Sequence, residues 1–157
     1  MTNAPEVPRP DPVAGLASVA AVMTTSPVTI TLDDDLWTAL RLLLATGLRH
    51  LVVVDADNKC RGVLADRYVV AEWPGDAIGA RLTRVRQMMG DPSPFLAPET
   101  SIRDAARAML GSGTDALAVV DGEGNAIGVV TGSDLIRSLA ELSEAAGLLG
   151  SAQRLAH

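Results

Sequence analysis

The sequence predicts an α+β fold in which one β-α-β-β-α unit occurs twice along the chain. Two observations predict it. Residues 51–55 return 66 positions later as residues 117–121, and residues 62–64 return as residues 128–130 at the same spacing. In both copies a continuous apolar run, a polar turn and a second apolar run follow one another, which is the pattern of neighbouring strands covered on both faces.

Composition limits what this fold can do. The 157 residues include 48% hydrophobic side chains but only 3% aromatic ones, so the core must be built from aliphatic side chains and methionine. The formal net charge is −6 and the isoelectric point is about 4.8. Nucleic acid and anionic membranes attract basic surfaces. We therefore expect neither of them to be a partner.

The chain carries one cysteine, Cys60, which excludes an intrachain disulfide and a cysteine zinc cluster. No basic segment followed by an apolar one opens the chain, so no signal peptide is visible. No apolar run approaches the roughly 20 residues that a membrane span needs. These features predict a cytoplasmic protein.

The repeat divides the chain into four segments. Residues 1–12 hold four prolines and few apolar side chains, which predicts a disordered leader. Residues 13–74 form the first repeat, residues 78–140 form the second, and residues 141–157 form a C-terminal helix or tail. A leading helix is predicted in each repeat from apolar residues at helical spacing. They are Leu16, Val19, Val22 and Met23, and then Leu82, Val85, Met88 and Met89.

A short extended segment, 28–31 or 94–97, is predicted next, followed by a helix with recognisable ends. The aspartates at 33–35 cap the first of these helices and Gly47 ends it. In the second repeat, Thr100 or Ser101 supplies the cap, and Gly111 or Gly113 ends the helix.

Strands at 51–55 and 117–121 then lead through polar turns into strands that begin at Gly62 and Gly128. A closing helix is expected from about Asp66 in the first repeat and from about Ser133 in the second. Beyond Ser138 an apolar stripe continues at helical spacing, which favours packing on a partner subunit, while Gly147 and Gly150 favour a solvated tail instead.

This ordered set of motifs resembles a tandem pair of CBS domains, the Bateman module. The resemblance is carried by Val-Met-Thr-Thr-Ser-Pro-Val-Thr at 22–29, Gly-Leu-Arg-His-Leu-Val-Val-Val-Asp at 47–55 and Gly-Val-Leu-Ala-Asp-Arg at 62–67, and it recurs from 89 to 135. It implies two units packed through their sheets about a pseudo-twofold axis, with clefts between them. It also implies pairing into disk-like homodimers and binding of adenine nucleotides or S-adenosylmethionine.

The second repeat ends in Gly-x-x-Thr-x-x-Asp, with Thr131 and Asp134 three residues apart. In the family the matching residues hold phosphate and ribose. The Asp134 carboxylate can accept from both hydroxyls of a ribose, and the Thr131 hydroxyl with the free N–H groups of Gly132, Ser133 and Asp134 can donate to a phosphate. The alternative is that Thr131 and Asp134 only cap the helix.

Other cleft residues follow from the same resemblance. Leu117, Ala118 and Leu96 are expected to frame an adenine ring, and Arg49 and His50 to supply positive charge for phosphate, or else to be a solvated arginine and a partly buried histidine.

Two departures from the family pattern affect which ligand can bind. Asp115, which we expect near Asp134, disfavours a highly phosphorylated ligand and favours AMP or S-adenosylmethionine over ATP. Ala65 and Tyr68 replace the threonine and aspartate in the first repeat, so we expect at most one nucleotide site, with Tyr68 filling the other pocket rather than stacking on a ligand.

The sequence thus predicts a stand-alone regulatory module that senses an adenosine-containing metabolite (AMP, ADP, ATP or S-adenosylmethionine), requires no cofactor and signals to a separate protein. The alternative is a ligand-free dimeric interaction platform. An enzyme is disfavoured, because no nucleophile–base pair, metal-ligand spacing or P-loop is present and His50 and His157 are the only histidines.

Overall fold

A computed structural model describes residues 17–89 and 93–155, with no account of the side chains at 148–150 and 152–155. The predicted leader at 1–12, Leu16 and His157 lie outside these residues. The first half contains the helices and strands α1 (Val19–Val22), β1 (Thr24–Thr25), β2 (Thr29–Thr31), α2 (Leu36–Thr46), β3 (His50–Val54), β4 (Cys60–Ala65) and α3 (Asp66–Ala71). The second half contains α4 (Ala77–Leu82), α5 (Val85–Met88), α6 (Ile102–Ser112), β5 (Ala116–Val120), β6 (Ala126–Thr131) and α7 (Gly132–Leu155).

The α+β prediction is confirmed, and each repeat contributes one three-stranded sheet. In the first sheet β3 lies between β2, which is parallel to it, and β4, which is antiparallel. In the second sheet β6 lies between β1 and β5, antiparallel to both. The two sheets pack through a shared apolar layer that includes Val52, Cys60 and Ala118.

The leading segments are exchanged between the repeats. β1 belongs to the first half of the chain but pairs with β6 of the second, with Thr24 opposite Val129. Val19 of α1 is fully buried in the second core. Val85 of α5 is fully buried in the first core. Each spatial unit therefore contains a piece of the other repeat.

The predicted helix ends are largely confirmed. Asp35 Oδ1 accepts from the Thr38 amide at 2.7 Å at the start of α2, and Gly47 ends it in the left-handed region at φ 67°. Ser101 Oγ accepts from the Asp104 amide at 3.0 Å at the start of α6. Gly113, at φ 65°, ends α6, whereas Gly111 lies inside it.

Several boundaries differ from the prediction. The helix expected from Leu82 onward is split into α4 and α5 at Thr83–Arg84. β4 and β6 begin two residues before their glycines, because the preceding turns close within five residues. The extended segment at 94–97 forms only a bridge between Leu96 and Val119, since Pro94 and Pro98 lie two residues to either side of Leu96 and lack the N–H that a ladder needs.

The closing helices differ in length. α3 ends at Ala71, after six residues, whereas α7 runs for 24 residues and continues through Gly147. The described residues contain no helix that is both long and apolar enough to cross a membrane.

Candidate functional site

A cleft of about 750 Å³ lies between the two repeats. The first repeat contributes the segment between β1 and β2 and the start of β3, and the second contributes the junction of β6 and α7. The polar side chains that line it carry hydroxyls, positive charge, an imidazole and one carboxylate. They are Thr24, Ser26, Thr131, Ser133, Arg49, Arg137, His50 and Asp115. Such a wall provides side-chain donors for a phosphate. At the start of α7 the Gly132 amide donates to the Asp115 carbonyl at 2.8 Å, and the Asp134 amide donates to the Thr131 hydroxyl at 3.4 Å.

The structure brings five of the nine predicted site residues together at this cleft. They are Thr131, Gly132, Ser133, Arg49 and His50. Leu96, Leu117 and Ala118 are instead buried and do not line it. The Leu96 amide donates to the Ala118 carbonyl at 2.9 Å, so these backbone groups satisfy each other. The expected adenine frame is therefore corrected: these residues build the core behind the cleft.

Asp134, the ninth residue, turns back toward Thr131. Both the amide and the hydroxyl of Thr131 donate to Asp134 Oδ2, at 2.8 and 3.0 Å. The Arg137 guanidinium lies 3.4 Å from Asp134 Oδ1, and the Asp134 side chain is 13% exposed. A ribose diol that reached this carboxylate would have to displace at least one of these partners.

The same arrangement occurs at a position outside the cleft. Thr31 donates to Asp34 Oδ2 from its amide at 2.8 Å and from its hydroxyl at 3.0 Å, between β2 and α2. A threonine and an aspartate three residues apart thus suffice to close the turn before a helix in this protein. The Thr131–Asp134 pair in this conformation is a cap, and its use by a ligand requires a rearrangement.

Asp115 was expected near Asp134, but its carboxylate instead binds two groups of the first repeat. His50 Nε2 and Arg67 Nη1 each lie 3.1 Å from Asp115 Oδ1. Partial burial raises the pKa of Asp115, but the hydrogen bonds from Arg67 and His50 outweigh it and hold that pKa below its ordinary value. The expected repulsion of phosphate by Asp115 is therefore corrected, because the carboxylate is already paired.

Three polar residues of the cleft were not predicted from the sequence: Thr24, Ser26 and Arg137. Ser26 has φ 51°, in the left-handed region that disfavours a residue with a side chain. Backbone strain of this kind concentrates at binding sites. The segment Thr-Thr-Ser-Pro at 24–27 carries part of the family resemblance, but a periodic pattern does not predict a left-handed backbone at Ser26.

The first repeat has a counterpart cavity of about 480 Å³, which Tyr68 and Thr114 help to line. Tyr68 is 44% exposed and stands at the wall, with the Arg67 guanidinium 4.9 Å from the centre of its ring. The prediction that Tyr68 fills this pocket is wrong, because a cavity remains beside the half-exposed ring.

A duplicated α+β module with its cleft between the repeats defines the class of this protein. Comparison with known families makes this specific: the CBS domain model matches residues 19–74 and again residues 85–141. The chain belongs to the CBS-domain family and contains a tandem pair of these domains. CBS pairs are in general regulatory modules rather than catalytic ones. Among the described residues, no group of three or more His, Cys, Asp or Glu is placed to hold a metal ion.

The chain is similar to proteins of differing length. It is 31% identical over 135 residues to a CBS domain-containing protein of Dictyostelium discoideum, covering 80% of this chain and 93% of the relative. It is 28% identical over 123 residues to an uncharacterized protein of Methanocaldococcus jannaschii, covering 78% of this chain and only 44% of that relative.

Two solved structures share the fold at 26% identity. The crystal structure of CBSX2 in complex with AMP has a TM-score of 0.67 and covers 81% of this chain and 98% of its own. The cytosolic domain of the Mg²⁺ channel MgtE in complex with ATP has a TM-score of 0.65 and covers 77% of this chain and 48% of its own.

Proposed function

We propose that this CBS pair binds an adenosine-containing metabolite, AMP, ADP, ATP or S-adenosylmethionine, in the cleft between its repeats and passes the signal to a separate protein. The observation that carries the proposal is the composition of the cleft wall. The Thr131 hydroxyl, the start of α7 at Gly132 and the two arginines Arg49 and Arg137 meet there. Positive charge and hydroxyl groups together suit a phosphate.

The size of the cleft also supports the proposal. Ligand pockets in proteins occupy about 300–1,000 Å³, and this cleft measures about 750 Å³. Its apolar lining, which includes Val28, Val52 and Val129, can cover the faces of a flat base. Two solved CBS structures at 26% identity hold AMP and ATP, which are members of the same ligand class.

Thermal unfolding and calorimetry with AMP, ADP, ATP and S-adenosylmethionine test the proposal. A ligand at about a hundredfold over its Kd stabilises the folded state by about 2.7 kcal/mol, and a chain of this size then gains a few degrees in Tm. Asp134→Ala should reduce the shift, because it removes the carboxylate that we propose to accept from the ribose hydroxyls.

Asp34→Ala is the matched control. It removes the same two hydrogen bonds from a threonine, at a turn away from the cleft. Both variants lose the hydrogen bonds that close their turn, but only Asp134→Ala should lose ligand-induced stabilisation. Equal loss in both variants would show that the effect is on folding. No stabilisation by any of the four compounds would end the proposal.

One observation favours the second candidate function, a ligand-free interaction platform. Asp134 is already satisfied by Thr131 and Arg137, in the arrangement that Thr31 and Asp34 adopt without any cleft. If the protein is such a platform, none of the four compounds should raise Tm. Dimerisation and partner binding should persist in Asp134→Ala.

We further propose that the module forms a homodimer through the exposed apolar face of its helices. This face repeats with the 66-residue offset. Leu44 and Val70 are 75% and 71% exposed in the first repeat, and Leu110 and Ile136 are 84% and 69% exposed in the second. Apolar side chains that are this exposed in matching positions favour burial against a second copy.

Light scattering on Ile136→Glu tests the dimer, which should become a monomer. Ile78→Glu is the control, since Ile78 is 74% exposed but lies on α4, outside the positions that repeat at the 66-residue offset. A wild-type monomer, or a dimer that survives Ile136→Glu unchanged, would contradict the assignment. The proposal includes a cytoplasmic location. It also includes the absence of nucleic acid and membrane contacts, which the net charge of −6 supports.

A further inference from the structure

The charged side chains around the cleft are balanced one to one. Three arginines face three aspartates at N···O distances of 3.1 to 3.5 Å, one pair for each arginine. The pairs are Arg49–Asp66 at 3.5 Å, Arg67–Asp115 at 3.1 Å and Arg137–Asp134 at 3.4 Å. Loss of any one partner therefore leaves a net charge beside the cleft. His50 joins this set through the same oxygen of Asp115.

Asp115 is the one carboxylate among the described residues that line the cleft. A carboxylate can only accept, so His50 Nε2 must carry the hydrogen of the 3.1 Å bond to it. The His50 side chain is 12% exposed, which holds the imidazole at the wall with its N–H directed at Asp115. An anion in the cleft would compete with Asp115 for this donor.

Arg67 acts on the cleft from outside. It does not line the cleft but an adjoining apolar groove of about 710 Å³, to which Tyr68, Asp115 and Ile136 also contribute. Asp115 lines both spaces, so its carboxylate separates Arg67 from the ligand. With Arg67 in place the negative charge of the cleft wall is offset, and an anion meets little repulsion. Without Arg67 the wall presents an uncompensated carboxylate.

We propose that Arg67, acting through Asp115, determines whether the cleft favours anionic or cationic ligands. The Arg67–Asp115 ion pair selects an anionic, phosphate-bearing ligand over a cationic sulfonium ligand. This inference rests on the proposed function and deepens it. Arg67 is thus a positioning residue whose effect depends on the charge of the ligand, which a merely structural role would not produce.

Calorimetric Kd values for AMP, adenosine and S-adenosylmethionine test the inference. Adenosine shares the base and ribose of AMP but carries no charge. Because exposed ion pairs contribute about 0.2–1 kcal/mol, Arg67→Gln should weaken AMP binding about 1.4- to 5-fold. The affinity for adenosine should be unchanged, and the affinity for S-adenosylmethionine should rise. Asp115→Asn should change the affinities for AMP and S-adenosylmethionine in the opposite direction.

The double variant and a matched arginine supply the controls. In Arg67→Gln/Asp115→Asn both charges of the pair are removed together, so the affinity for AMP should return toward that of wild type. Arg81→Gln removes an arginine of the same kind, one that lies over the Trp37 ring at 5.6 Å and away from the cleft. It should leave all three ligands unaffected.

The outcomes separate this inference from the proposed function. Two results would overturn the role of Arg67 while leaving the proposed function intact. In the first, AMP binds wild type but its affinity falls equally in Arg67→Gln and Arg81→Gln. In the second, the affinity for adenosine falls together with that for AMP. If no adenosine compound binds but inorganic pyrophosphate does so in an Arg67-dependent way, the proposed function alone is overturned. Absence of all binding overturns both.

Discussion

The amide of Val19 donates to the carbonyl of Thr100 at 2.8 Å, and this bond fastens the first leading helix to the second repeat. The Val19 side chain is fully buried there, and the pseudo-equivalent Val85 is fully buried in the first repeat. Two such crossings tie the repeats together, so neither core is complete without a segment from the other.

Val19→Ala should destabilise the second core more than the first. Removing two methyl groups from a fully buried position costs about 2 kcal/mol in unfolding free energy. Hydrogen exchange should show the lost protection in β5 and β6 rather than in β3 and β4. Val85→Ala is the matched variant and should reverse the pattern. Loss of protection in β3 with Val19→Ala would contradict the exchange of leading helices.

Gly128→Ala should disturb the pairing of β1 with β6. A methyl group at Gly128 would lie 2.5 Å from the Met23 sulfur and 3.1 Å from the Thr24 carbonyl oxygen, so the Met23 side chain has to move and the Thr24 backbone has to give slightly. Overpacking of this kind costs roughly 1–3 kcal/mol, measurable by urea unfolding. Gly122→Ala is the control, because nothing lies within 4 Å of its added methyl group. An equal cost in both variants would argue against the contact between β1 and β6.

Acid should weaken the structure partly through Asp115. Its pKa in the folded state lies below the reference value of 3.8, so the stabilisation is fully present above that value and is lost as the pH falls through the lowered pKa. Asp115→Asn should therefore be less stable than wild type at pH 7, and the difference should shrink below about pH 4. A difference that stays constant between pH 7 and pH 2 would count against this ionic contribution.

Cys60 should be slow to react. Burial raises the pKa of its thiol above the usual 9.0, although a hydrogen bond with the Gly62 backbone partly opposes this. Labelling by iodoacetamide at pH 8 should be much slower in the folded protein than in urea. The raised pKa also means that this contribution to stability is present below pH 9 and is lost as the pH rises further. Equal labelling rates in both states would refute burial of the thiol.

The periodic and capping signals in the sequence predicted a large part of the fold. The strands β3 and β5 lie within one residue of their predicted positions, and Gly47 and Gly113 end α2 and α6 as expected. These features depend on neighbours within four residues along the chain, so a local pattern is sufficient to reveal them. The junction of β6 and α7 at Thr131 could be located for the same reason.

The candidate site was predicted only where it is local. Thr131, Gly132 and Ser133 were found because they are consecutive at the end of a strand. The partners of Asp115 were not predicted, because His50 and Arg67 lie 65 and 48 residues away along the chain. Hydrogen bonds over such separations leave no periodic trace, and the expected repulsion at Asp115 failed for that reason.

By itself the sequence determined the duplication, the order of strands and helices, their caps and the position of the polar junction in the second repeat. Only the tertiary structure decided which core receives each leading helix and which charges meet at the cleft. The physical reason is that hydrophobic attraction is not directional. Two cores of similar composition can each bury Val19 or Val85, and the choice between them depends on distant backbone pairing such as that of β1 with β6.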